Sequence, residues 1–299
     1  MNHLRFLRYV DEIARSGSIR AAAERLHVAP SAVNRRLQDI EQELDAPLFE
    51  RLPRGMRLTA AGEMFIAYVR ARQAELERVR SNIEELKGLR RGTVKLICSQ
   101  GLAPNFVPHA MATFRRRHPL VEFRVQVGDH VQALSALRAL ETDLILVFNL
   151  DSEPDLHPLV FHDQKLLAVM HKDHRLAQGG SAIRLADCAD YPLALPNRDT
   201  AGRQMLERFL LRRAMEFKPM VESNSFELLR GCLYQQEAVT FQFESGAVTD
   251  GGQLVTREIE DRGFPVGHIL MASLAKRQLP VIADSFAEHV RGLLGQDGR

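Results

Sequence analysis

Between Thr59 and about Gly88 the residues Phe65, Val69, Leu76, Val79, Ile83 and Leu86 recur at alternating steps of four and three, broken only at Arg72. That alternation is the seam of a coiled coil, and Thr59 is placed to cap the helix carrying it. A helix of roughly 30 residues is about 40 Å long, too long for a small N-terminal domain to cover. The seam therefore predicts a dimer. It also divides the 299 residues into a head, a strut and a body, in keeping with a length that exceeds one hydrophobic core.

In the head, Leu4, Leu7, Val10, Ile13 and Ala14 give a first helix that stops near Ser16 and Gly17. Ser18 caps a second, "IRAAAERL", with His27 and Val28 as the turn after it. Pro30, which has no N–H to lose, suits the first position of a third helix. There Val33, Leu37, Ile40 and Leu44 form an inward stripe, while Ser31, Asn34, Arg35 and Gln38 share the opposite face. Those polar side chains can reach base edges and phosphates from a major groove. Two helices joined this closely, the second with such a face, make a helix-turn-helix.

Charge points the same way. The net charge is only +2, but residues 1–92 hold 17 Lys+Arg against 13 Asp+Glu. Residues 15–36 carry Arg15, Arg20, Arg25, Arg35 and Arg36 against Glu24 alone, and Arg51, Arg54 and Arg57 follow. In "LFERLPRGMRLT", Pro53, Arg54 and Gly55 turn between two extended stretches, which reads as a β-wing with a basic tip. Arg54 could enter the minor groove or grip the backbone beside it.

The run "AAAERLHVAPSAVNRRLQDIEQELDAPLFERLPRGMRLTAAG" closely resembles the winged helix-turn-helix of LysR-type transcriptional regulators. The resemblance implies contacts to double-stranded DNA at Pro30, Ser31, Asn34, Arg35 and Arg54, to which the charge reading adds Arg36 and the face of the third helix adds Gln38. Pro30 stands where the family often has glutamine and Asn34 where serine is usual, so the base preference is this chain's own. LysR-type proteins pair a similar long helix, so that two heads on one seam engage half-sites about one or more DNA turns apart. Homodimers or homotetramers are implied, with RNA polymerase as a further candidate partner.

From Thr93 onward strands alternate with helices: "TVKLIC", "PNFVPHAMATFRRRHP", "VEFRVQV", "HVQALSALRALE" and "DLILVF", then, past a connection near 156–163, "KLLAVMH", "YPLALP", "KPMVES" and "AVTFQF". A doubly wound parallel sheet in two lobes is expected. "PVGHILMASLA" and a last helix from Pro280 to Leu294 return to the first lobe, which resembles the two-lobed, periplasmic-binding-protein-like effector domain of the LysR family. The fold class is thus a multidomain α+β chain. Its expected bounds are 1–58 for the winged head, 59–88 for the linker helix, 89–92 for a hinge and 93–299 for the effector domain. Within the last, lobe I is about 93–162 with 268–299, and lobe II about 163–267.

Ligands of open α/β sheets sit beyond the carboxyl ends of strands, where helix N-termini offer free amides to an anion. Ser99 and Gln100, Gly128 and His130, Phe148 and Asn149, and Asn197 and Thr200 hold such positions, with Phe226 and Phe243 as apolar walls. A small carboxylate fits such a cleft. Hydroxyl and amide residues at helix starts are also ordinary caps.

Other classes find less support. His157, His162, His171 and His174 fall in one stretch but lack a metal-site arrangement and read as surface histidines; "GGSAIRLAD" lacks the lysine of a phosphate loop; no serine sits in a nucleophile elbow. No metal, cofactor or catalytic residue is expected. Cys98, Cys188 and Cys232 read as buried thiols in a reducing cytoplasm. No apolar run approaches the roughly 18 residues of a membrane helix, and the N-terminus lacks a secretory core. The alternative is a small-molecule-binding or enzymatic α/β protein whose N-terminal helices only dimerise it. A dimerisation cap, however, has no reason to place Arg35, Arg36 and Arg54 on neighbouring exposed surfaces.

Overall fold

The computed structural model describes residues 2–53, 55–86, 91–235, 237–247 and 250–296. Arg54 and residues 87–90, the expected wing tip and most of the hinge, lie outside them. The chain divides into two compact units, Met1–Arg80 with Ala139–Glu141, and Ser81–Arg138 with Thr142–Arg299.

The first unit comprises α1 (Asn2–Ser16), α2 (Ile19–Leu26), α3 (Pro30–Glu43), β1 (Phe49–Leu52), β2 (Gly55–Leu58) and the start of α4 (Ala60–Leu86). Gly17, at φ +64°, lets the chain turn out of α1. The Ser18 side chain then accepts from the Ala21 N–H, and His27 closes α2 in the left-handed region at φ 53°. Val10, Ile13, Ala22, Ala23, Val33, Leu37, Leu48, Phe49 and Ile66 form one buried cluster. The expected stripe of α3 departs from this at Leu44, which is 44% exposed. It follows the last turn of α3 as its C-cap, beyond the reach of the core.

The start of α4 is fastened to the wing. The Thr59 hydroxyl donates to Pro47 O at 2.7 Å and accepts from the Gly62 N–H at 3.0 Å, while Thr59 N–H donates to Leu48 O at 3.0 Å. A Cβ at residue 62 would lie 2.0 Å from Leu48 O, so only glycine allows this approach. Asp11 ties α1 to α4: it is 6% exposed, accepting from Arg15 Nε at 2.9 Å and from Arg70 Nε at 2.8 Å. Farther along α4, the seam residues Val79, Ile83 and Leu86 are exposed.

The second unit runs β3 (Gly92–Cys98), α5 (Phe106–Arg117), β4 (Val121–Val127), α6 (His130–Arg138), β5 (Leu144–Phe148), β6 (Leu156–Gln164), β7 (Leu166–His171), β8 (Ala182–Ile183), α7 (Leu185–Cys188), β9 (Ala194–Pro196), α8 (Ala201–Arg212), β10 (Val221–Ser223), α9 (Phe226–Gln235), β11 (Val239–Phe243), β12 (Leu254–Ile259), β13 (Gly267–Leu274) and α10 (Val281–Gln296). One sheet has the order β4-β3-β5-β13-β6 and another β11-β7-β12-β8, with β10 and β9 paired beside them.

The expectation of a wholly parallel sheet is corrected here. β3 pairs with β4 and β5 in parallel, but β13 is antiparallel to both β5 and β6, and β7 is antiparallel to β11 and β12. Parallel pairing is confined in the first sheet to strands joined by helical crossovers, α5 between β3 and β4 and α6 before β5, whereas β13 returns from the second lobe and enters in the opposite sense. The stretch 156–163, expected as a connection, is the edge strand β6, and its partner in the first sheet is the returning β13. β12 also lacked a sequence expectation, because its residues are mostly half-buried and mixed in polarity.

Two readings of single residues change as well. His174 is 2% exposed rather than a surface histidine. It caps the 3-10 turn Arg175–Gln178, accepting from Leu176 N–H at Nδ1, with Glu237 O 3.2 Å from Nε2. Cys98 and Cys188 are buried, which pushes both thiols up to about 12, whereas Cys232 is half-buried.

Replacing Gly62 with alanine is expected to destabilise the head by about 1–3 kcal/mol through overpacking against Leu48, read as an earlier denaturant midpoint. Burial lowers the pKa of His174, and burial with nearby Arg117 lowers that of His289. The unfolded chain then binds protons that the folded chain refuses. Their contribution is complete above the unfolded-state value of about 6.5 and is lost as pH falls through it. The melting temperature is therefore expected to drop across that window, and less so in His174→Asn.

Candidate nucleic-acid interface and ligand cleft

The outer face of α3 stands on a fixed base. Val33 and Leu37 are buried, and the Glu41 carboxylate accepts from Leu48 N–H at 2.7 Å and Phe49 N–H at 3.3 Å, joining the end of α3 to the first wing strand. On the solvent side Pro30, Ser31, Arg35 and Gln38 are exposed, and Asn34 and Arg36 are half-buried. Helical spacing puts Ser31, Asn34, Arg35 and Gln38 on one face of α3, with Arg36 to its side against Asp39.

Arginine count overstated the free charge on it. Arg15, Arg20, Arg25 and Arg36 pair with Asp11, Glu24, Glu12 and Asp39, and Arg57 pairs with Glu50. Arg35 makes no ion pair among the described residues. Arg51, not singled out as a site residue, reaches from β1 to donate to Asn34 Oδ1 at 3.2 Å. It is exposed and joins wing to helix on the candidate interface. Its signal in the sequence was position: two residues after Phe49 on a short strand beside α3.

In the second unit a cleft of about 340 Å³ opens between the lobes, within the usual size of small-molecule sites. Ser99, Gln100, His130, Phe148, Thr200, Phe226 and Phe243 all line it, as does Gly128. Asn149 and Asn197 do not. Asn149 sits at φ 47°, where its Oδ1 accepts from His268 N–H at 2.6 Å, so its side chain fastens β5 to the returning β13. Asn197 turns the chain into α8, its carbonyl accepting from the Thr200 hydroxyl at 2.8 Å.

The polar groups of the cleft differ in what they have left to offer. Ser99 Oγ accepts from Phe148 N–H at 3.3 Å, leaving its own proton free. Thr200 is the N-cap of α8 but makes no side-chain bond to the helix, so the first-turn amides stay open. The N-terminus of α6 is already closed: Asp129 Oδ1 accepts from Gln132 N–H at 2.8 Å, and Asp129 N–H donates to Gln132 Oε1 at 3.2 Å. His130 Nε2 lies 2.7 Å from Phe148 O, fixing the ring against the cleft wall. Phe148 and Phe243 stack with ring centres 4.4 Å apart. Sequence reasoning missed Gln242, which lines the cleft from inside β11 rather than from a strand end.

Comparison with known proteins places both units. Residues 4–63 match the family described as "Bacterial regulatory helix-turn-helix protein, lysR family", and residues 87–295 match "LysR substrate binding domain". The RuBisCO operon transcriptional regulator of Allochromatium vinosum is 31% identical over 215 residues, covering 72% of this chain and 70% of that protein. Among solved structures, a full-length OxyR variant from Pseudomonas aeruginosa superposes with a TM-score of 0.71 at 23% identity, over 96% of this chain and 94% of that one. Full-length CbnR complexed with its target DNA gives 0.66 at 20% identity, over 97% and 99%.

Proposed function

Since the chain belongs to the LysR family of DNA-binding transcriptional regulators with an effector-binding domain, we propose that α3 enters the major groove with Ser31 and Asn34 at base edges. Pro30 and Gln38 flank that reading surface, while Arg35 and Arg36, with Arg51 and Arg54 of the wing, hold phosphates. The observation that carries this is the union of α3 and wing through Arg51 and Asn34: an exposed cation beside a readout amide suits a polyanion and serves no core. The chain is a regulator rather than an enzyme, as its relatives are.

The remaining assignments follow from the same reading. Residues 1–58 form the DNA-binding head. The exposed stripe of α4, within the linker 59–88, pairs with a second copy, and two such dimers make a tetramer. A hinge at 89–92 leads into the effector domain, 93–299. Its cleft takes a small carboxylate at Ser99, Gln100, Thr200 and the start of α8, with Phe148, Phe226 and Phe243 against its apolar part. Occupancy favours one arrangement of the assembly by its differential affinity for the two, in contact with RNA polymerase in the cytoplasm. Among the described residues no helix is long and apolar enough to cross a membrane.

Operator binding is expected to weaken with salt by about 0.9 log units per log unit for each phosphate neutralised. Arg35→Ala and Arg51→Ala should each flatten that slope by about one phosphate; unchanged slopes in both would remove the interface. Asn34→Ala should cost about 1–3 kcal/mol on the preferred site and less on random DNA, measured by competition with bulk duplex. Ser99→Ala should abolish the response to effector with DNA affinity intact. A retained response moves the pocket.

A further inference from the structure

The cleft holds a carboxamide on a largely buried residue. Gln242 is 7% exposed and lines the cavity, yet its carboxamide makes no side-chain hydrogen bond among the described residues. A carboxamide both donates and accepts, and a ligand that displaces the solvent against it must replace those bonds or lose affinity. It stands in the same cavity as the open N-terminus of α8, which supplies free amides for an anion. Two unmet features of different chemistry thus face one volume.

The charge of the lining limits that anion. The residues around the cleft include Asp129 and Asp199 but no lysine or arginine. Asp129 also closes the N-terminus of α6, which removes the second helix end that a doubly charged ligand would use. A phosphate ester carries about −1.5 to −2 near neutrality and ordinarily calls for guanidinium or ammonium partners. A lone carboxylate does not, because the amides of one helix end and the free proton of Ser99 suffice. The apolar part of the lining is largely aromatic, with Phe148, Phe226, Phe241 and Phe243. A Cβ built at Gly101 would lie 3.4 Å from Phe148 and 3.7 Å from Phe226, so both rings border the same floor as the stacked Phe148 and Phe243 pair.

We infer that the cleft takes a compact planar ring with a single carboxylate and a hydroxyl group, that Gln242 selects it through the hydroxyl, and that phosphorylated metabolites are refused. This rests on the cleft being the effector site. A hydroxyl matches the carboxamide because it too donates and accepts. Benzoate would fill the aromatic slot and leave Gln242 unmet.

Saturation-transfer NMR and calorimetry on the full chain test this with 4-hydroxybenzoate, benzoate, glucose 6-phosphate and 3-phosphoglycerate as probes. 4-Hydroxybenzoate is expected to bind at least tenfold more tightly than benzoate, and the phosphates not at all. Gln242→Met should erase the preference for the hydroxyl, and Gln242→Glu should abolish carboxylate binding, both with operator affinity unchanged as the check on folding. Binding of either phosphate that Thr200→Tyr blocks would overturn the ligand class while leaving the cleft as the site. Binding of any probe that survives Thr200→Tyr would instead sink the cleft itself. No binding of 4-hydroxybenzoate at about 10 mM, tenfold above a dissociation constant of about 1 mM, or a hydroxyl preference undiminished in Gln242→Met, would overturn the inference.

Discussion

The passage of the backbone from β6 into β7 across Lys165 alone governs the effector half of the molecule. Because no crossover fits in one residue, the two strands belong to different sheets and the chain changes lobe without a loop. The junction is then locked by hydrogen bonds rather than by bulk. Glu244 N–H donates to Lys165 O at 3.0 Å, and Ser245 N–H donates to Gln164 Oε1 at 2.9 Å; the Gln164 residue is 2% exposed. Asn149 and His268 tie the returning strand at the same level. The cleft opens where these ties leave the strand ends apart, which is why its walls come from both lobes.

The head solves a related problem with charge. Burying a carboxylate is unfavourable unless its oxygens are matched, and Asp11 has a guanidinium on each. The triad holds α1 and α4 at one angle where apolar contacts alone would let helices slide. Removing one partner would leave an unpaired buried charge, so this contact acts as a fixed joint rather than as a source of net stability.

Local chemistry was legible in the sequence and distant pairing was not. Gly17, Ser18 and Pro30 announce their turn and caps within a few residues, so the three helices of the head could be read directly. The strand-end rule likewise found Ser99, Gln100, His130, Phe148 and Thr200, because helix starts and strand ends are local events. β6 was hidden by Pro158, which has no N–H for a ladder; the strand tolerates it at the sheet edge, beside the register shift between Met271 and Ala272. Asn149 and Asn197 were drawn out of the cleft by bonds to residues far away or to their own turn. Gln242 carries no sequence signal, since in "VTFQF" it is one polar residue of an alternating strand.

The fastening of Thr59 and Gly62 to Pro47 and Leu48 has a mechanical consequence. Gly62 rests directly on the Leu48 carbonyl and the short Thr59 hydroxyl reaches Pro47 O, so no long, compliant side chain stands at this point. Twisting α4 about its own axis must therefore drag the base of the wing through the same angle, as a key turns a bolt. Torque arriving along the strut would reach the α3 and wing surface undamped.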